Sequence, residues 1–155
     1  MKHKVIKTTK LTVIAALVIT VVSVYSCAKA GIGGPSYTID GIANGVQVVP
    51  SSSSTAVGAV SGNFDGSKNT MKGKISWSNL SGAPTAIHIH GGSPGRNGYP
   101  YFVLVKIPNG VTDSLNFTSV FTESLEGGVG PSGYYFDIHT AAFPNGEIRG
   151  QIIAH

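Results

Sequence analysis

Met71-Lys72-Gly73-Lys74-Ile75-Ser76-Trp77-Ser78 reads with a period of two, setting Met71, Gly73, Ile75 and Trp77 against Lys72, Lys74, Ser76 and Ser78. Successive side chains of a strand point to opposite faces, so this is a strand with an apolar inner face and a wet outer one. Just upstream, Val57, Ala59 and Val60 lead into Ser61-Gly62-Asn63-Phe64. Asp65-Gly66-Ser67-Lys68-Asn69 between the two runs is turn chemistry, so the pair is expected to form a β-hairpin with Trp77 in the core.

The same alternation recurs downstream. Ser81-Gly82-Ala83-Pro84 breaks the chain before a short strand, Thr85 to His90. Gly91 to Pro100 is a loop, Tyr101 to Ile107 is strand-like, and Pro108-Asn109-Gly110 is a turn. Leu115 to Phe121 alternates again, and Gly127 to Gly133 reads as loop. Tyr134 to Thr140, Pro144-Asn145-Gly146 and Glu147 to Ile153 read as a closing hairpin. Ser51 to Thr55 is a serine-rich loop without periodicity. Many short strands separated by Gly, Pro and Asn turns predict one all-β domain over 37–155, a sandwich or barrel of about seven or eight strands.

The chain in front of this domain has a different character. Lys2, Lys4, Lys7 and Lys10 precede an apolar run, Leu11 to Tyr25, broken only by Thr12, Thr20 and Ser23. As a helix this run rises only about 22 Å, short of the ~30 Å hydrocarbon core of a bilayer, so it reads as a helical signal segment over 1–26. Val24-Tyr25-Ser26-Cys27 resembles the bacterial lipobox, in which the cysteine thiol takes a lipid and the peptide is cut just before it. Cys27 is the one cysteine of the chain, so no intramolecular disulfide competes for it. Residues 27–36, with Gly31, Gly33 and Gly34, are expected to be a flexible tether. The expected location is the cell envelope, on its periplasmic or extracellular face. Ala28 after the cysteine is no acidic retention residue, which favours an outer membrane.

The formal charge of +4 also comes from this segment. Beyond residue 26, seven basic residues meet seven acidic ones, so there is no broad positive field to attract nucleic acid. Expected partners are a membrane, through the lipid, and an unidentified protein or small ligand.

Three of the five histidines fall in the strands, at His88, His90 and His139. Ile87 and Ile89 take the core, leaving His88 and His90 on the outer face of one strand. Phe136 and Ile138 do the same in another, leaving Tyr135, Asp137 and His139 outside. Two histidines at i, i+2 plus a third from a second strand suit a metal site for copper or zinc, because neutral imidazole is a common nitrogen ligand. Asp137 is the candidate carboxylate to orient a metal-binding histidine or to serve as a ligand itself, against the plainer expectation of an exposed strand acid. The plainer reading of all three histidines is a hydrogen-bond cluster anchoring the Gly91–Pro100 loop. Glu147 and Arg149, two apart, are expected to share one strand face as a ladder of charges. Arg96 is a loop cation beside the histidines, and Tyr99 and Tyr101 flank the same loop.

Ala86-Ile87-His88-Ile89-His90-Gly91-Gly92, the loop through Asn97-Gly98, Asp137-Ile138-His139-Thr140 and Asn145-Gly146-Glu147-Ile148-Arg149-Gly150-Gln151-Ile152 together resemble the CHRD domain, a module named for its repeats in chordin. The resemblance covers about residues 37–153. It implies an Ig-like, Greek-key β-sandwich or barrel. A narrower likeness, confined to His88-Ile89-His90 and His139, is to the strand of copper/zinc superoxide dismutase that sets H-x-H outside a barrel. The missing disulfide pair and the lack of further histidines argue against that enzyme's binuclear chemistry. No nucleophile elbow, phosphate loop or glycosidase-like carboxylate pair is present. The sequence therefore leads to a tethered, non-catalytic binding or structural module, with a histidine metal site of redox or metal-handling use as the alternative.

Overall fold

The computed structural model describes residues 34–122 and 133–155. The signal segment, Cys27, most of the tether and nearly all of the Gly127–Gly133 loop lie outside the described residues. Eight strands follow one another: β1 (Tyr37–Asn44), β2 (Val57–Asp65), β3 (Thr70–Ser78), β4 (Pro84–Gly91), β5 (Pro100–Val103), β6 (Asp113–Val120), β7 (Tyr134–Thr140) and β8 (Ile148–Ala154). They form one antiparallel sheet in the order β5-β4-β7-β8-β1-β2-β3-β6, in which β3 and β6, β4 and β7, and β1 and β8 are neighbours remote in sequence. The sheet curls into a nearly closed barrel.

The predicted hairpin is β2–β3, in continuous register from Val57↔Ser78 to Asp65↔Thr70. Its turn is fixed by Asp65, whose Oδ1 accepts from Ser67 N at 3.0 Å, Ser67 Oγ at 2.6 Å and Lys68 N at 3.2 Å. The Ser67 hydrogen bond and the neighbouring Lys68 hold the Asp65 carboxyl down at about 2. Inside the curl, Met71, Ile75, Ile87, Ile89, Phe136, Ile138 and Ile148 are fully buried, with Trp77 beside them. Trp77 Nε1 donates to the Gly110 carbonyl at 2.8 Å, satisfying its one polar atom.

The two end strands face each other across a seam. A groove of about 370 Å³ runs between residues 102–106 and β6. Phe121, just after β6, packs edge-on to Phe102 at 4.8 Å, Tyr134 at 5.2 Å and Phe64 at 5.7 Å between ring centroids.

Three local features depart from the sequence reading. The stretch 37–50, to which no element is assigned above, holds β1 between β8 and β2, followed by a 3₁₀ turn at Gly45–Gln47. The inward set of β1 is Ile39, Gly41 and Ala43, with Ile42 turned outward and 71% exposed, so its pattern carries little amphipathic signal. The strand-like run Tyr101–Ile107 is strand only to Val103, and three residues on Lys106 takes a left-handed φ of 58°.

Glu147 and Arg149 form no charge ladder. Glu147 precedes β8 and is fully buried, where its carboxylate accepts from Ser54 Oγ (2.8 Å), Ser81 N (2.8 Å), Ser81 Oγ (2.7 Å) and Thr140 Oγ1 (2.6 Å). Burial pushes its pKa up, but these hydrogen bonds outweigh burial and hold the carboxyl below its ordinary value. The serine-rich stretch is thus a buried carboxylate's partner: Ser52 Oγ also donates to the Glu147 carbonyl at 2.6 Å. These bonds tie the chain before β2, the chain before β4 and the end of β7 to one point.

Candidate metal centre

The outer face of β4, β7 and β8 carries two rows of polar side chains, set by the antiparallel register. His88, Asp137 and Arg149 stand opposite one another in the first row, and His90, Tyr135 and Gln151 in the second. His139 stands opposite Ala86, one step beyond the first row. The register follows from Ile87, Ile89, Phe136 and Ile138 filling the core, since a slip by one residue would bury the histidines instead.

Three imidazoles surround the Asp137 carboxylate. His139 Nε2 lies 3.1 Å and His88 Nδ1 3.5 Å from Oδ1, and His90 Nε2 lies 3.2 Å from Oδ2. One donor atom from each residue lies within 4.8 Å of every other. His88 Nδ1, His90 Nε2, His139 Nε2 and Asp137 Oδ1 are all buried and none has a hydrogen-bond partner. These are close approaches without hydrogen-bond geometry, and buried polar atoms left in that condition are rare. Far from being an exposed strand acid, Asp137 is 7% exposed and stands among the ring nitrogens rather than behind them.

The far nitrogens of two rings decide what the near ones carry. His90 Nδ1 is 2.9 Å from the Gly98 carbonyl and His139 Nδ1 is 2.9 Å from the Pro144 carbonyl. A carbonyl only accepts, so each Nδ1 donates its proton, and in a neutral ring the lone pair is then on Nε2. Both lone pairs face the Asp137 carboxylate. A cation between them removes that repulsion. Burial raises the Asp137 pKa, but the adjacent His139, His88 and His90 rings outweigh it and hold the carboxyl well below the usual range. The same carboxylate raises His139 above its ordinary value, against burial, with the Pro144 carbonyl adding to the rise. The inward nitrogens thus stand close together, and of the outward ones that of His90 bonds the Gly91–Pro100 loop as expected while that of His139 bonds Pro144 instead.

The Gly91–Pro100 loop folds back over this face. Gln151 Nε2 donates to the Gly92 carbonyl (3.0 Å), Arg149 Nη2 to the Ser93 carbonyl (3.1 Å), and Arg149 Nη1 to Asn97 Oδ1 (3.3 Å). Asn97 Nδ2 donates in turn to the Val49 carbonyl at 2.8 Å, and the Gly98 amide to the Tyr135 hydroxyl at 3.2 Å. Arg149 stacks on Tyr135, its Cζ 3.5 Å from the ring centre, and Tyr135 stacks on His90 at 4.7 Å and 6°. Burial lowers the Arg149 pKa, and the nearby Tyr135 and Asp137 work against that. The column of guanidinium, phenol and imidazole was not foreseen: neither Tyr135 nor Gln151 stood out in the sequence, although both share the outward phase of the histidines. Arg96 is exposed in the loop, Tyr99 is 85% exposed, and Tyr101 packs edge-on to Tyr134.

Chemically, three imidazole nitrogens and one carboxylate make a donor set for a divalent transition metal. With metal–ligand bonds of about 2.0–2.1 Å, tetrahedral donors stand about 3.3 Å apart. The carboxylate–imidazole separations, 3.1 and 3.5 Å to Oδ1 and 3.2 Å to Oδ2, are near that spacing, while the donor atoms as a set lie within 4.8 Å of one another, a looser cluster that an ion would draw together. Among the described residues this is the cluster of histidines and acids that brings its donors together in this way.

No curated protein and no solved structure matches the chain. A family model, that of the CHRD domain, matches residues 41–152. The match runs from within β1 to within β8 and takes in His88, His90, Asp137 and His139. It covers most of the chain, and the chain belongs to the CHRD domain family.

Proposed function

We propose that this protein is a lipid-anchored envelope module whose CHRD domain holds one divalent transition metal, copper or zinc, at His88, His90, His139 and Asp137. Family membership supports a binding or structural module of extracellular type. The observation that carries the metal reading is the gathering of four buried donor atoms, none with a hydrogen-bond partner, within 4.8 Å of one another, with two of the rings fixed from behind by backbone carbonyls. Outer hydrogen bonds of this kind set the tautomer and aim of metal-binding histidines. The residues would supply a neutral-imidazole, single-carboxylate pocket, and a bound ion would supply Lewis acidity or, for copper, a one-electron couple. Anchoring rests on the basic start, the short apolar run and the Val24-Tyr25-Ser26-Cys27 segment.

The test is metal analysis of the full-length protein extracted from membranes, beside a His90→Ala/His139→Ala variant. About one equivalent of zinc or copper in the wild type, absent from the variant, is the expected result for a single four-donor site. Background metal in the wild type after incubation with both ions would overturn the reading. For the anchor, Cys27→Ser is expected to move the protein from the membrane fraction to the soluble one. Unchanged partition would remove the lipid from the account.

A further inference from the structure

The four donors are not equally held. His90 is tied by its Nδ1 to the Gly98 carbonyl, and its ring is stacked against Tyr135, which is itself covered by Arg149. His139 is tied by its Nδ1 to the Pro144 carbonyl. Asp137 is enclosed by the three rings. A side chain held at both ends loses its rotamer freedom once, on folding, and loses little more on binding an ion.

His88 is built the other way round. It turns Nδ1 inward rather than Nε2, makes the longest of the three approaches to Asp137 at 3.5 Å, and has the most exposed side chain of the four donors, at 20%. Its ring neighbours are the other two histidines, at 4.8 and 5.4 Å between centroids. Across β4 from Asp137, its register partner is Val103 at the end of β5, the short terminal strand, and Val103 is 62% exposed. Rotation about its own χ1 would carry the ring toward solvent without disturbing a backbone anchor.

We propose that His88 is the exchangeable donor of this centre, and that its departure opens a coordination position for a neutral nitrogen donor from outside the chain. This rests on the metal reading above. The exchange is a ligand substitution: the bond from the ion to His88 Nδ1 breaks, and the imidazole leaves neutral with its lone pair. The lone pair of the incoming nitrogen then forms the new bond. No electron or proton changes hands, and the charge of the centre stays the same. While that position exchanges, His90, His139 and Asp137 keep hold of the ion.

The experiment uses full-length protein loaded with Cu(II), and follows copper content, copper affinity and the electron paramagnetic resonance spectrum as imidazole is added. The wild type is compared with His88→Ala, His88→Gln, His90→Ala and His139→Ala, each checked for folding by its melting curve. The expected result is that both His88 variants keep copper with affinity lowered by about tenfold, whereas His90→Ala and His139→Ala lose about a hundredfold or more. Added imidazole should shift the spectrum of the His88 variants and speed copper release from the wild type to a chelator. Copper lost from folded His88 variants as completely as from His90→Ala would overturn the proposal, as would spectra indifferent to imidazole. A wild type that holds no copper or zinc would overturn the metal reading itself, a separate and recognisable result.

Discussion

Replacing Glu147 by glutamine tests a buried carboxylate with four hydrogen-bond donors without touching His88, His90, Asp137 or His139. Its Oε1 accepts from Ser54 Oγ and the Ser81 amide, and its Oε2 from Ser81 Oγ and Thr140 Oγ1. Glutamine must keep its oxygen at the Oε1 place, because the Ser81 amide can only donate. Its NH₂ then falls where Oε2 was, facing two hydroxyls that rotate to accept. No bond need be lost outright. What goes is the charge assistance, since hydrogen bonds to a charged group contribute about 1.5–3 kcal/mol against about 1 for neutral ones. With hydroxyl reorientation offsetting part of this, the expected loss is about 1–2 kcal/mol at pH 7. For a domain of this size that lowers Tm by about 4–8 °C.

The pH dependence separates this from a packing defect. Glu147 has its folded pKa depressed, so its contribution is fully present above the unfolded value of about 4.3 and is lost as pH falls through the folded value. The melting curves of wild type and Glu147→Gln, taken by circular dichroism, should therefore differ at pH 7 and draw together below pH ~4. Equal melting points at pH 7, or a gap that persists unchanged into acid, would refute the reasoning.

Three further outcomes follow from the same structure. Zinc at about a hundred times its Kd should stabilise the domain by about 2.7 kcal/mol, raising Tm by roughly 10 °C, and a chelator should reverse it; differential scanning calorimetry reads this directly. Asn97→Ala removes the clasp between the loop and the Val49 carbonyl and one partner of Arg149, and should weaken metal affinity about tenfold in a competition titration while leaving Tm within about 2 °C. Trp77→Ala, at a core position 3% exposed, should cost about 3–5 kcal/mol in urea unfolding, whereas Trp77→Phe, which keeps most of the packing and leaves the Gly110 carbonyl unpaired, should cost about half of that.

The strands legible in the sequence are those whose inner faces are large and outer faces charged or hydroxylated. Met71, Ile75 and Trp77 against Lys72 and Lys74 are one case, and Ile87 and Ile89 against His88 and His90 are another. β1 escaped because Gly41 and Ala43 line its inner face and Ile42 its outer one. At Gly41 a side chain would strike the Gln151 carbonyl, so close strand approach, not hydrophobicity, selects that residue. The phases of His88, His90, Asp137 and His139 were readable, since a period of two assigns a face. Their mutual distances were not, because they depend on the β4–β7 register, a pairing of strands remote in the chain. Glu147 was misread for a related reason: its partners Ser54, Ser81 and Thr140 come from three separate places, and no local pattern announces a buried carboxylate.

The two halves of the site, His88 with His90 and Asp137 with His139, lie about fifty residues apart in the chain, on strands paired only in the folded state. An ion held by all four is a cross-link. In the chain-entropy picture a tie closing a loop of about fifty residues is worth about 4 kcal/mol through the unfolded ensemble, comparable to a disulfide. A chain with one cysteine has no disulfide with which to do this for itself. The coordination bond would fill that role as a staple sensitive to chelators and acid, making the domain's durability track the metal supply of its surroundings.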